Sequence, residues 1–165
     1  MSNCFTQICS ATLLAFSLMA ASIPARAEGV RPAPSASGVI AGKSAYGVEE
    51  TVERLKKDIA AKGITFFQEI DQAALAAKAG IEIRPSILLV FGNPPLGTQF
   101  MTANQQAGLD WPVRMLVYRD GTGAVWVAYT DFAWIARRHG VTSLDAQFHM
   151  ASEVAASIAA SVNAR

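Results

Sequence analysis

Residues 112–130, PVRMLVYRDGTGAVWVAYT, hold the reading that decides the fold. Two runs of alternating character flank Asp120-Gly121-Thr122-Gly123. Alternation with period two marks a strand with one buried face, and an Asp-Gly turn between two such runs marks a hairpin. Pro112 to Arg119 and Ala124 to Thr130 are therefore predicted as antiparallel strands. Val125, Val127 and Tyr129 share one face of the second strand, and Trp126 and Ala128 take the other.

Upstream of the hairpin lies RPSILLVFGNPPLGT, residues 84–98. Ile87 to Phe91 reads as a buried strand that breaks at Gly92-Asn93-Pro94-Pro95 and re-enters a short helix ending near Gln106. Further upstream, Val48, Val52, Leu55 and Ile59 recur at spacings of four, three and four, which is one helical face. Its early glutamates and late lysines suit the helix dipole, and Gly63 supplies a left-handed stop. Ile64 to Ile70 reads as a strand, followed by a short alanine-rich helix from Asp71 to Gly80. Val39 to Tyr46 is a candidate first strand. Downstream, Asp131 to Arg138 forms a short helix closed by His139-Gly140. A long helix then follows Thr142-Ser143-Leu144-Asp145, which resembles a capping box, with its stripe on Leu144, Phe148, Ala151, Ala155, Ile158 and Val162. This order predicts an α+β fold: one antiparallel-rich sheet of about five strands, with helices packed on one face.

The chain has 165 residues, of which 14 are basic and 13 acidic. Residues 1–27 read as a secretory signal, with an apolar run from Ile8 to Ile23 and the small-x-small pattern Ala25-Arg26-Ala27 before Glu28. An uncleaved anchor is the alternative. Cleavage removes 27 of the 165 residues and leaves 138, enough for one ordinary domain. Residues 28–47 then form a lead-in that holds the candidate first strand, and residues 48–165 form the α+β domain with its C-terminal helix. The expected location is outside the cytoplasm, periplasmic or secreted, with no stable membrane span once the signal is gone. The signal holds one basic residue, Arg26, so the mature chain is neutral, which argues against nucleic acid as a partner. Both cysteines, Cys4 and Cys9, lie in the signal. The mature chain thus has no disulfide, thiolate nucleophile or sulfur ligand, and with two histidines no metal site and no cofactor are expected. Nor is there a G-x-S-x-G nucleophile elbow.

VEETVERLKKDIAAKGITFFQEID, FGNPPLGTQFM, LDWPVRMLVY and GAVWVAYTDFAWIARRHG occur in this order between Val48 and Val141. Together they resemble the family known as domain of unknown function 302. The resemblance implies a compact fold of the β-α-β4-α type shared with TATA-binding proteins, which carries no implication of DNA binding. Some relatives pair as dimers, so a homodimer is among the expected partners; no activity is established for the family. Many relatives carry Asp-His where this chain has Asp71-Gln72, and a glutamine neither titrates near neutral pH nor ligates a metal as imidazole does.

Two stretches qualify as candidate sites. At the Asn93 turn, Pro94 is expected to cap the helix and Pro95 to occupy its first position. That arrangement would leave backbone N–H groups from Leu96 to Thr98 unclaimed, able to hold a small anionic or polar ligand, with Asn93 orienting the turn and the Thr98 hydroxyl assisting. Tyr129, Asp131, Arg138 and His139 would line the opposite wall. The leading expectation is thus an exported binding module for a small ligand or a partner protein. One alternative is an enzyme using Asp131 and His139 as an acid–base pair. Another is a dimerisation module that buries the alanine-rich stripe of the last helix, or an open edge along Ala124 to Thr130, against a second copy.

Overall fold

The computed structural model describes residues 33–164, which belong to one compact unit. The signal assigned to residues 1–27 lies outside the described residues. The elements run β1 (Val39–Lys43), α1 (Val48–Ala61), β2 (Thr65–Asp71), α2 (Gln72–Lys78), β3 (Ser86–Gly92), α3 (Pro94–Ala103), a 3-10 turn over Gln105–Leu109, β4 (Val113–Arg119), β5 (Val125–Thr130), α4 (Phe132–Arg138) and α5 (Asp145–Ala160). The five strands form one sheet in the order β1-β5-β4-β3-β2, and every pairing is antiparallel. β1 belongs to that sheet, so the folded part begins before Val48.

The hairpin forms where its turn residues predict. Asp120 Oδ1 accepts from the Thr122 N–H at 2.8 Å, the Thr122 hydroxyl at 2.7 Å and the Ala124 N–H at 3.0 Å, while Oδ2 accepts from Trp126 Nε1 at 2.7 Å. Four donors on one carboxylate fix the turn and the first outward-facing side chain of β5 together.

Only one face of the sheet carries the core. Ile40, Leu89, Phe91, Met115, Val117, Val125, Val127 and Tyr129 point into it and meet Val48, Val52, Leu55 and Ile59 of α1, all of them buried. The stripe of α5 fills the rest: Phe148, Ala151, Ala155 and Ile158 are buried, and Val162 follows just past the helix. Phe148 stacks on Phe100 of α3 with centroids 4.2 Å apart, and Phe132 of α4 closes the cluster at 6.3 Å from Phe100. Two expectations are corrected here. The α5 stripe is used inside the molecule, so it is not a surface for a second copy. β5 lies between β1 and β4, so Ala124 to Thr130 offers no open edge; the edges are β1 and β2.

The start of α5 also differs from the expected capping box. The residue before the helix is Leu144, in the left-handed region at φ 70°, and no side chain caps the first turn. Leu144 packs against the core instead, so burial of an apolar side chain outweighs a cap at this position. β1 is held at both ends by its own chain: the Ser35 N–H donates to Val39 O at 2.8 Å, and the Ala164 N–H donates to Lys43 O at 3.0 Å. β2 is broken by a register shift between Phe66 and Gln68.

Candidate functional site

The Asn93 turn closes on itself. Asn93, in extended conformation, is the N-cap of α3, with Pro94 and Pro95 at the first two helical positions. Its Oδ1 accepts from the Leu96 N–H at 3.3 Å, and its carbonyl accepts from Leu96 at 3.1 Å and Gly97 at 2.9 Å. The expected cap on Pro94 is therefore shifted by one residue. The consequence is chemical: of the four N–H groups a helix start normally leaves without an intrahelical partner, two fall on prolines, which have none. The Thr98 hydroxyl donates back to Pro94 O at 2.8 Å. No free donor set remains in this turn for an anion.

What the turn does hold is Trp111. A Cβ on either Gly92 or Gly97 would overlap the indole, so both glycines are needed to let the ring lie against the turn. The apolar void left beside it, bounded by Asn93, Leu96 and Phe100, is only about 30 Å³. The two glycines flanking Asn-Pro-Pro-Leu are thus a cradle for a residue of the same chain.

Of the other four predicted residues, Arg138 and His139 meet on one carboxylate, while Tyr129 and Asp131 lie apart from them. Tyr129 is 5% exposed on the core face of β5. Asp131 caps α4 by accepting from the Trp134 N–H at 3.0 Å, and His139 ends the same helix. A seven-residue helix is about 10 Å long, so its two ends do not form an acid–base pair. His139 is paired instead with Asp110, Nε2 to Oδ2 at 2.6 Å, both side chains being 5% exposed. Arg138 Nη1 donates to both Asp110 oxygens at 3.1 Å, and Arg114 approaches Oδ1 at 3.3 Å. Asn104 Nδ2 donates to the His139 carbonyl at 2.8 Å. This cluster ties the end of α3, the residue before Trp111 and the end of α4 together. Asp110, at its centre, escaped the sequence reading; its one signal is a lone carboxylate in the otherwise apolar Leu109-Asp110-Trp111-Pro112.

The remaining candidate is the second face of the sheet. The register places Ala41, Ala128, Leu116, Leu88 and Ile70 in a straight row across all five strands. Beside it run Lys43, Trp126, Tyr118 and Ser86. None of these side chains belongs to the core or packs against it. Ala128 is 8% exposed and its row neighbours are half-buried, and α2 reaches this face at its β3 side, where the Ser86 hydroxyl donates to Gln72 Oε1 at 2.7 Å. α2 buries no residue, and the segment after it exposes Ile81 and Ile83. Among the described residues no helix is long and apolar enough to cross a membrane.

A family model described as "Domain of unknown function DUF302" matches residues 40–164. The Fluoride-specific ion channel FluC 1 of Brucella suis biovar 1 (strain 1330) is 39% identical over 105 residues, covering 64% of this chain and 41% of that protein. Fluoride-specific ion channel FluC 2 of Brucella melitensis biotype 1 is likewise 39% identical over 105 residues, covering 64% of this chain and 39% of that protein. The chain thus spans about two fifths of the length of the curated relatives it matches. The crystal structure of an uncharacterized conserved DUF302 protein from Bacillus stearothermophilus superposes with a TM-score of 0.71 at 16% identity, covering 78% of this chain and 100% of the other. At that identity the likeness is one of fold.

Proposed function

The chain belongs to the DUF302 family, and we propose that it acts as an exported interaction module that pairs with a second copy of itself through the open face of its sheet. The observation that carries this reading is the apolar row Ala41–Ala128–Leu116–Leu88–Ile70. It is small at the β1 end and large at the β2 end. A two-fold axis along β4, the central strand, sets Ala41 and Ala128 of one copy over Ile70 and Leu88 of the other. Small then faces large across the interface, the arrangement that fills space between two sheets without voids. Export is supported by the apolar run from Ile8 to Ile23 and by Ala25-Arg26-Ala27, and N-terminal sequencing of the exported protein is expected to begin at Glu28. In the Brucella channel proteins, sequence of this kind fills part of a longer chain. That placement fits a domain working against another protein surface.

Size-exclusion chromatography with light scattering tests the pairing. A dimer is expected for the native chain and a monomer for Leu116→Glu, with the far-ultraviolet circular dichroism of the two unchanged. A native chain that is monomeric at every concentration removes the proposal.

A further inference from the structure

A separate feature lies on the helical side of the molecule. α4 and α5 flank an open groove of about 700 Å³, within the size range of small-molecule sites. Its floor is apolar, with Ile40 and Phe148 buried beneath and Ala136 and Val141 alongside. Ser152 lines it at 7% exposure, and among the described residues its hydroxyl has no hydrogen-bond partner. Arg137, in the last turn of α4, and Asp145, in the first turn of α5, border the same groove. Neither has an ion-pair partner among the described residues, and they do not pair with each other. The other charged groups here are committed. Asp131 Oδ2 accepts from the Trp134 N–H, and Glu153 lies 4.0 Å from His149 Nδ1.

An unpaired guanidinium, an unpaired carboxylate and a free hydroxyl around an apolar floor describe the complement of a molecule with both charges and an apolar body. We propose that this groove binds a small zwitterion of the α-amino-acid class with an apolar side chain. Arg137 receives the carboxylate through its planar fork of donors, and Asp145 receives the ammonium. The Ser152 hydroxyl, which both donates and accepts, bonds the polar head, and the side chain lies on Ile40 and Phe148. The proposal is independent of the pairing through the sheet, which uses the opposite face.

The test is an NMR titration of the native chain, and of the monomeric Leu116→Glu variant, with L-leucine, N-acetyl-leucine and leucinamide. Saturable shifts at the amides of residues 136–141 and 148–153 are expected for leucine in both proteins. The two analogues, each lacking one charge, are expected to bind about tenfold more weakly, the weight of one charge-assisted contact. Arg137→Ala should make leucine and leucinamide bind alike, and Asp145→Asn should do the same for leucine and N-acetyl-leucine. Both positions are exposed, so the folds should survive. Three results overturn the proposal: no saturable shift up to the solubility limit of L-leucine, equal affinity for all three leucine compounds, or shifts confined to the sheet.

Discussion

Asp120 accepts four hydrogen bonds in the β4–β5 turn, and its carboxyl is held down at about 2 from an ordinary 3.8. The Thr122 side chain is the largest cause and the Trp126 indole the next. Because the folded value lies below the unfolded one, the turn's contribution to stability is complete above pH 3.8 and is lost as the pH falls through about 2. Carboxyl-carbon NMR should show Asp120 titrating near 2 with the Trp126 indole proton moving at the same midpoint; a midpoint at the ordinary value would mean those bonds are absent in solution. Gly97 offers a second test at this scale. Alanine in a helix interior is favoured over glycine by up to ~1 kcal/mol, but a methyl here displaces the Trp111 ring, and overpacking costs roughly 1–3 kcal/mol. Gly97→Ala is therefore expected to destabilise the protein, with a red shift in tryptophan fluorescence; a stabilised variant would show that the ring does not rest there. The Asp120 turn was legible in the sequence because all its partners lie within six residues. The Trp111 cradle was not, because the indole comes from fourteen residues beyond Gly97 and nothing local marks a glycine as a seat for a distant ring.

At the scale of elements, the apolar stripe of α1 was legible: Val48, Val52, Leu55 and Ile59 are all buried, and Gly63 sits at φ 66° as a left-handed stop should. The last turn of the helix, however, holds no basic residue for the dipole. The two ends of α4 were legible too, Asp131 as a cap and His139 as a terminus, but not what His139 meets. Its partner, Asp110, lies 29 residues back and is brought over by the 3-10 turn after α3. Asp110→Ala leaves a buried imidazole unpaired and frees Arg138, which should lower stability by roughly 1–3 kcal/mol in urea unfolding. His139→Ala combined with it should cost little more than either change alone, since both remove one interaction. Full additivity of the two losses would indicate that the pair contributes nothing jointly.

Across the whole molecule the sheet has two unlike faces, and the alternation of residues 112–130 announced this without saying which strands flank which. Strand order depends on contacts between segments far apart in the chain, so the sequence reading put an edge on β5 where the structure has β1. The two faces predict opposite outcomes for similar changes. Leu89→Ala removes a fully buried side chain from the core face and should cost ~2–5 kcal/mol. Leu88→Ala, one residue away on the open face, should leave thermal unfolding of the isolated chain within ~1 kcal/mol and weaken self-association instead. Equal destabilisation by the two would mean that something covers the second face.

The tethering of β1 at Val39 and Lys43 has a consequence for growth. Runaway fibre formation by strand addition requires two free rims, so that each newcomer presents a template for the next. Here one rim is tied off by the neighbouring backbone and the other is kinked at Phe67, so a misdocked neighbour terminates the stack where it joins.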